Sequence, residues 1–238
     1  MRKAGRIVAD VRERVAAAVR PGVTTAELDA IAERHIHEAG AIPSFKGYRG
    51  TFPASICASV NEQVVHGIPG DRVLENGDLL ALDFGAIWEG YHGDSAITVF
   101  VGDSPSAEAE KLVRVTEDSL EAGISEIRDG NRLSDIGHAV QQVVEGAGFA
   151  VVREYVGHGI GQNMHEDPQI PNFGPPGRGP VLRPGLVVAV EPMVNMGGWE
   201  TRVLDDGWTV VTEDGSLSAH FEHTIALTDD GPEVLTAG

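Results

Sequence analysis

Asp83, Asp94, His158, Glu191 and Glu222 have the residue types and settings of a ligand set for a two-metal hydrolase. Asp83 falls inside the apolar run Leu79-Leu80-Ala81-Leu82-Asp83-Phe84, and Glu191 ends the run Leu186-Val187-Val188-Ala189-Val190-Glu191. Carboxylates are almost never fully buried unless they are paired or bind a metal. Asp94 follows Tyr91-His92-Gly93. In adjacent strands of one hairpin, the two-residue period can turn it to the same face as Asp83. Two unit charges about 4 Å apart repel by about 4 kcal/mol at an effective dielectric of about 20. Four converging carboxylates therefore need cations; two divalent ions neutralise them and one neutral imidazole completes the set. Oxygen-rich ligands with a single His suit the harder metals Mn or Fe, with Co or Zn also admissible. No zinc-type Cys cluster and no His-Glu-x-x-His helix competes for the assignment.

Taken singly, these residues say less. Asp83 alone reads equally well as a satisfied structural carboxylate. His158, in Val156-Gly157-His158-Gly159-Ile160-Gly161, also reads as part of a turn, and its glycine spacing is not that of a dinucleotide-binding loop. His165-Glu166-Asp167-Pro168 supplies a second imidazole nearby. Glu222 lies between His220-Phe221 and His223-Thr224, in a strand that would return it to the centre. The set of five is far more specific than any member.

The elements that must position this set recur at an offset of 108 residues. The pattern from Val23 to Gly40 matches that from Asn131 to Gly148, and Gly77–Asp83 overlies Gly185–Glu191. An internal duplication would make Asp83 and Glu191 equivalent, one from each half; the alternative is two unrelated helix-then-strand units. The expected organisation is one catalytic domain over 1–238, with halves of about 1–105 and 106–238. A first helix with Ile7, Val8, Val11, Val15 and Val19 on one face stops at Pro21-Gly22. The next opens on the capping pattern Thr24-x-x-Glu27 and ends before Gly40. Helices near 107–127 and 134–147 follow, the latter with Ser134 as N-cap. Residues 78–101 read as a hairpin turning at Glu89-Gly90, and 168–184 as an irregular Pro- and Gly-rich loop. Strand signals return at 186–194, 208–212 and 219–228. Helices paired with antiparallel strands indicate an α+β fold.

A chain of 238 residues with 42% hydrophobic and 23% charged residues can bury a sizeable core. Its net charge of −18 argues against a specific nucleic-acid partner, which would need a basic stripe. Cys57 is the only cysteine, so no intrachain disulfide forms and a reducing compartment is expected. No apolar block marks a signal peptide or a membrane span, and the expectation is a cytoplasmic protein with no membrane partner.

The motifs resemble those of the methionine aminopeptidases, in their short bacterial type I form. The matching stretches are Asn61-Glu62 with Val65-His66-Gly67-Ile68-Pro69, Leu82-Asp83-Phe84-Gly85, and Tyr91-His92-Gly93-Asp94. Gly157-His158-Gly159-Ile160-Gly161, His165-Glu166-Asp167-Pro168, Val190-Glu191-Pro192-Met193 and Phe221-Glu222-His223-Thr224 follow in order. The resemblance covers nearly the whole chain. It implies the pita-bread fold, two pseudo-symmetric halves enclosing a dinuclear metal site with a curved, mainly antiparallel sheet and outer helices. Asp94 and Glu222 would bridge two divalent ions (Mn, Fe, Co or Zn), Asp83 would chelate one, and His158 and Glu191 the other. A water of lowered pKa would attack the first peptide bond, two-metal chemistry for which aminopeptidases are a known example. Glu191 would carry its proton, His165 would hydrogen-bond the scissile carbonyl, and His66 would orient the peptide nitrogen.

By the same resemblance Tyr48, Phe52, Cys57 and Trp208 would line a methionine pocket, where an unbranched thioether packs well on aromatic rings. Met164 stands where many members have Phe, and Thr51-Phe52 lengthens the stretch before Pro53 by one residue. The implied substrates are nascent polypeptide N-termini with a small second residue, met through transient ribosome contact by a monomer. X-Pro peptidases share the fold and all five ligands; they usually carry an extra N-terminal domain that 238 residues do not accommodate. A catalytically dead binding protein would be expected to have lost ligands, and none is missing.

Overall fold

In the computed structural model, which describes residues 1–238, helices α1 (Arg2–Ala18) and α2 (Thr25–Glu38) open the chain. Strands β1 (Ile42–Pro43), β2 (Ile56–Val60), β3 (Gln63–Val65), β4 (Leu79–Trp88) and β5 (Tyr91–Phe100) follow. Helices α3 (Ala107–Ser125) and α4 (Leu133–Gly146) lead to β6 (Ala150–Val151), β7 (Gly157–Gly159) and β8 (Glu166–Ile170). Next come β9 (Val187–Val190), β10 (Met193–Asn195), β11 (Thr201–Val203) and β12 (Val210–Thr212). The chain finishes through β13 (Ser218–His220), β14 (His223–Thr228) and β15 (Gly231–Val234). The strand pairs are antiparallel, in keeping with an α+β fold.

The apolar face of α1 is buried through Ile7, Val8, Val11 and Val15, against Leu80, Leu82 and Phe84 of β4. Helix α1 ends at Ala18 because Val19 turns extended just ahead of Pro21, which cannot continue a helix. Thr24 and Glu27 form the expected capping box. The Glu27 N–H donates to Thr24 Oγ1 at 3.2 Å, and the Thr24 N–H to Glu27 Oε2 at 2.7 Å. At α4 the expected Ser134 cap is displaced. Arg132 is the N-cap, its N–H donating to Asp135 Oδ2 at 2.7 Å, while Ser134 Oγ accepts the Arg178 N–H at 2.8 Å. A guanidinium has no acceptor, so Arg132 makes half of the reciprocal pair and Asp135 carries it.

The offset of 108 residues reappears in the backbone. It carries α2 onto α4 end for end, and the first residue of β4 onto that of β9. Hydrogen bonds from Gly22 N–H to Leu74 O, Leu74 N–H to Val23 O and Thr25 N–H to Arg72 O recur elsewhere. Their counterparts run from Gly130 to Leu182, Leu182 to Asn131 and Leu133 to Pro180. The isolated bridges Thr24–Val73 and Arg132–Val181 are one more such pair. Backbone pairing thus follows the repeat even where few side chains do.

Helices α1 and α2 cover the β4 sheet, and Leu120, Ile124 and Ile136 from α3 and α4 cover Val188, Val190 and Ile225 of β9 and β14. Close packing depends on two glycines: a Cβ on Gly93 would sit 2.9 Å from the Ala4 carbonyl carbon, and one on Gly5 would strike the Leu235 carbonyl oxygen. The β4–β5 hairpin turns at Glu89-Gly90, both with positive φ, as two-residue hairpin turns require. Two strand expectations are broken in the middle. Residues 186–194 part at Glu191-Pro192 and 219–228 part at Phe221-Glu222. Proline has no N–H to give to a ladder. Residues 168–170 of the expected loop belong to β8, and the short strands β1, β2, β3, β6, β7, β11 and β15 were not anticipated.

Candidate metal centre and substrate cavity

In the β4–β5 register Asp83 faces Ala96 and Gly85 faces Asp94. Residues directly opposite share a face, as do residues two apart, so both aspartates project from the same side of the hairpin. Gly85 lies between them in this pattern and leaves a gap. A Cβ there would be 2.7 Å from Ser44 Cβ and 3.0 Å from Phe45 Cε1, so glycine lets that segment close over the site.

Glu191 and Glu222 come from the interrupted ladder. Pairing of β9 with β14 ends at Val190–His223 and resumes between β10 and β13 at Met193–His220. Freed from both ladders, Glu222 instead exchanges backbone hydrogen bonds with Ala96 of β5, and Asp94 N–H donates to Thr224 Oγ1 at 3.0 Å. These bonds tie residues 94–96 to residues 222–224.

His158 occupies the middle of β7, between β8 and β9. Its flanking glycines are there for close strand approach: a Cβ on Gly157 would strike Ala189 O, and one on Gly159 would strike Asp167 O. Nδ1 lies 2.9 Å from the Gly159 carbonyl, an acceptor only, so Nδ1 carries the proton. Nε2 keeps its lone pair and points between Glu191 Oε1 at 3.5 Å and Asp94 Oδ2 at 3.7 Å. Burial lowers the pKa of His158 and keeps the ring neutral.

Donor atoms of Asp94, His158 and Glu222 lie within 4.8 Å of one another. Asp83 Oδ1, Asp94 Oδ1 and Glu222 Oε1 are buried and accept no hydrogen bond. Buried acceptors left unpaired are rare and costly, and a cation is the partner that suits several converging anions at once. Burial pushes Asp83 up to about 7. It also holds Asp94, Glu191 and Glu222 well above the carboxylate range, with the charge of Glu222 acting on Asp94, that of Asp94 on Glu191, and that of Glu191 on Glu222. The residues present fit a bound cation.

A cavity of about 280 Å³ opens from these carboxylates, and every predicted site residue lines it. Part of its wall is apolar. Phe52, Cys57 and Met164 are buried there, Cys57 directly across the β2–β4 ladder from Asp83, and Trp208 stands edge-on to Phe52 at 5.1 Å between centroids. Cys57 is driven well above its usual pKa by burial, so it serves as a small apolar wall rather than a thiolate.

His165 and His66 line the same cavity. His165 Nδ1 shares a 2.7 Å hydrogen bond with the Tyr48 hydroxyl, and its ring lies 4.2 Å from that of His158. His165 as a residue is exposed, yet desolvation by the protein around its ring, helped by His158 and His66, lowers its pKa. His66 has φ 60°, a left-handed conformation that a non-glycine residue holds at a cost of about 1–3 kcal/mol. That turn sets its ring edge-on to Tyr155 at 5.7 Å and Trp208 at 6.3 Å, and burial lowers its pKa to about 4.

The sequence profile of metallopeptidase family M24 matches residues 1–229. The chain belongs to this family. As an M24 metallopeptidase it is 58% identical to methionine aminopeptidase 1 of Bacillus subtilis, over 99% of this chain and 94% of that protein. It is 56% identical to the methionine aminopeptidase of Clostridium perfringens over the same shares. Among solved structures, Thermotoga maritima methionine aminopeptidase superposes with a TM-score of 0.98 at 46% identity, covering 100% of this chain and 95% of that one. Prolidase from Pyrococcus furiosus, at 19% identity and a TM-score of 0.79, covers 100% of this chain and 62% of that one, and shares the fold alone.

Sequence reasoning missed several residues of this M24 site. Phe45, Arg49, Glu154 and Tyr155 also line the cavity. They come from irregular segments, where no periodicity marks the inward face. His220 reaches Glu191 from the neighbouring strand, 3.9 Å from Nε2 to Oε2. Its spacing of two from Glu222 was the available signal.

Proposed function

We propose that this M24 metallopeptidase releases the N-terminal methionine from peptides and nascent proteins whose second residue is small. One observation carries the reading: Asp83, Asp94, His158, Glu191 and Glu222 line the same cavity as Phe52, Cys57 and Trp208, and donor atoms of Asp94, His158 and Glu222 lie within 4.8 Å of one another. Its identity to methionine aminopeptidases over nearly the full chain supports the same conclusion.

Asp83, Asp94, His158, Glu191 and Glu222 would hold two divalent cations, drawn from Mn, Fe, Co or Zn. When bound, such ions neutralise the cluster and lower the pKa of a water near the scissile carbonyl. Glu191 accepts the proton and passes it to the departing amine. His165, oriented by the Tyr48 hydroxyl, donates to the carbonyl oxygen as charge develops there. His66, edge-on to Tyr155 and Trp208, orients the peptide nitrogen. Phe52, Cys57 and Trp208 enclose the methionine side chain, which sets the reacting bond against the carboxylates. The partners are peptide N-termini, reached by a monomer in the cytoplasm with transient ribosome contact.

The test is peptide hydrolysis by metal-stripped protein with Mn, Fe, Co or Zn restored, comparing Met-Ala-Ser with an X-Pro peptide. Metal-dependent release of Met from Met-Ala-Ser is the expected result. Cleavage mainly of the X-Pro peptide moves the chain to the prolidase branch, and no cleavage with any ion leaves a binding protein.

A further inference from the structure

Glu191 has an imidazole facing each of its oxygens: His158 Nε2 lies 3.5 Å from Oε1, and His220 Nε2 lies 3.9 Å from Oε2. The two rings are not alike. His158 gives its Nδ1 proton to the Gly159 carbonyl and presents a lone pair to the site. His220 is 2% exposed, and its Nε2 is buried with no hydrogen-bond partner.

The backbone fixes His220 in place. Its N–H donates to Thr98 Oγ1 at 2.9 Å, and its carbonyl accepts the Thr98 hydroxyl at 2.8 Å. Its register partner is Met193, in the strand that follows Glu191 and Pro192. Glu191, by contrast, stands in the break between two ladders, and its side chain makes no hydrogen bond. A gap of 3.9 Å is beyond hydrogen-bond range, so of the two partners the carboxylate is the one free to rotate and close it.

We propose that His220 is a positioning residue: its Nε2–H donates to Glu191 Oε2 and leaves Oε1 directed at the cation shared with His158. The inference rests on the reading of Glu191 as both ligand and proton carrier. A carboxylate ligand held by an outer donor keeps one orientation, and loss of such a donor typically weakens metal binding by about 10–100-fold. For Glu191 the same donor fixes which oxygen remains available to move a proton.

His220→Gln keeps an N–H donor, whereas His220→Leu removes it and fills similar space. Each full-length variant is stripped of metal and compared with wild type in three measurements: Co2+ affinity by calorimetry, the visible spectrum of the Co2+-loaded protein, and thermal unfolding of the metal-free protein. The expected result is Co2+ affinity about 10–100-fold lower for His220→Leu, with an altered spectrum. His220→Gln recovers most of both, and metal-free Tm changes little in either. Wild-type affinity and spectrum in His220→Leu overturn the proposal. So does an equal loss in both variants, which would make His220 a packing residue. Wild-type protein that binds no Co2+ overturns the metallopeptidase reading itself, and the proposal with it.

Discussion

Glu222 and Ala96 exchange both backbone hydrogen bonds, at 3.0 Å from the Glu222 N–H and 3.2 Å from the Ala96 N–H. This one pairing brings a residue from near the end of the chain beside the Asp83–Asp94 hairpin. Ser95, the neighbour of Ala96, reinforces it by donating from Oγ to the Glu222 carbonyl at 2.8 Å. The buried Arg12 guanidinium in turn donates to Ser95 Oγ at 2.6 Å. The backbone holds Glu222 from behind while its carboxylate is left without a donor in front.

Asp94→Asn and Glu222→Ala are each expected to abolish release of Met from Met-Ala-Ser and leave the fold intact. Removing one charge from a buried anionic cluster relieves repulsion, so the metal-free variants should melt at or above the wild-type temperature. Calorimetry with peptide assays checks both; wild-type-like activity in either metal-loaded variant removes that residue from the site.

The stability of the metal-free protein should fall as pH rises from about 6.5 towards 8. Asp83 is pushed up to about 7, and Asp94, Glu191 and Glu222 well above their usual values. An acid with a raised folded pKa holds more protons folded than unfolded, so its contribution is full below the unfolded pKa and disappears as pH climbs through the folded one. His66 and His223, lowered to about 4, and His220, lowered to about 3, work the other way and gain stability up to about 6.5. The two sets oppose each other up to about 6.5; the histidine contribution fades within about one pH unit above that, while the carboxylates continue to titrate. Denaturant melts from pH 6.5 to 8 measure the slope. Saturation with Mn2+ should flatten it, because bound ions keep the carboxylates ionised in the folded state.

His165→Ala should lower kcat about 10²–10³-fold while changing metal affinity little, in line with loss of one donor to a developing oxyanion. Tyr48→Phe, which removes the 2.7 Å hydrogen bond to His165, should have a smaller effect in the same direction. A His165→Ala protein whose main defect is metal binding would place His165 among the ligands.

Trp208→Ala opens the wall formed with Phe52 and His66. Loss of one buried aromatic contact surface, worth about 1.5–3 kcal/mol, corresponds to about a tenfold or greater fall in kcat/KM for Met peptides. Metal affinity should be unchanged, which separates a pocket effect from a metal-site effect.

Gly159→Ala should destabilise the protein by about 1–3 kcal/mol, since the added Cβ meets Asp167 O and lies 3.0 Å from Glu166 O. For a chain of this length that is about 2–4 °C of Tm per kcal/mol. An unchanged Tm would mean that β7 and β8 can separate at no cost.

Much of this protein is legible in its residues. Carboxylates inside one apolar run at Asp83 and ending another at Glu191 are conspicuous because burial of an unpaired charge is so unfavourable, and they point to the cavity they line. The Thr24–Glu27 box, the Glu89-Gly90 turn and the offset of 108 residues rest on local chemistry, and local chemistry is written along the chain. Other features depended on distant partners. Ser134 has the side chain of a cap, yet Arg178 engages it and the helix begins one residue earlier. The break at Glu191-Pro192 and Phe221-Glu222 acquires its meaning from Ala96, more than 90 residues away in sequence. The strands β1, β3 and β7 are too short for a periodic signal, β2 is buried at every position and so shows no alternation, and all four form because neighbouring strands offer them hydrogen bonds. Phe45 enters the cavity because Gly85 leaves room, and His220 meets Glu191 across a strand boundary. Sequence determined which groups could do chemistry; tertiary structure decided which ones meet, because convergence depends on backbone pairings between segments that share no local signal.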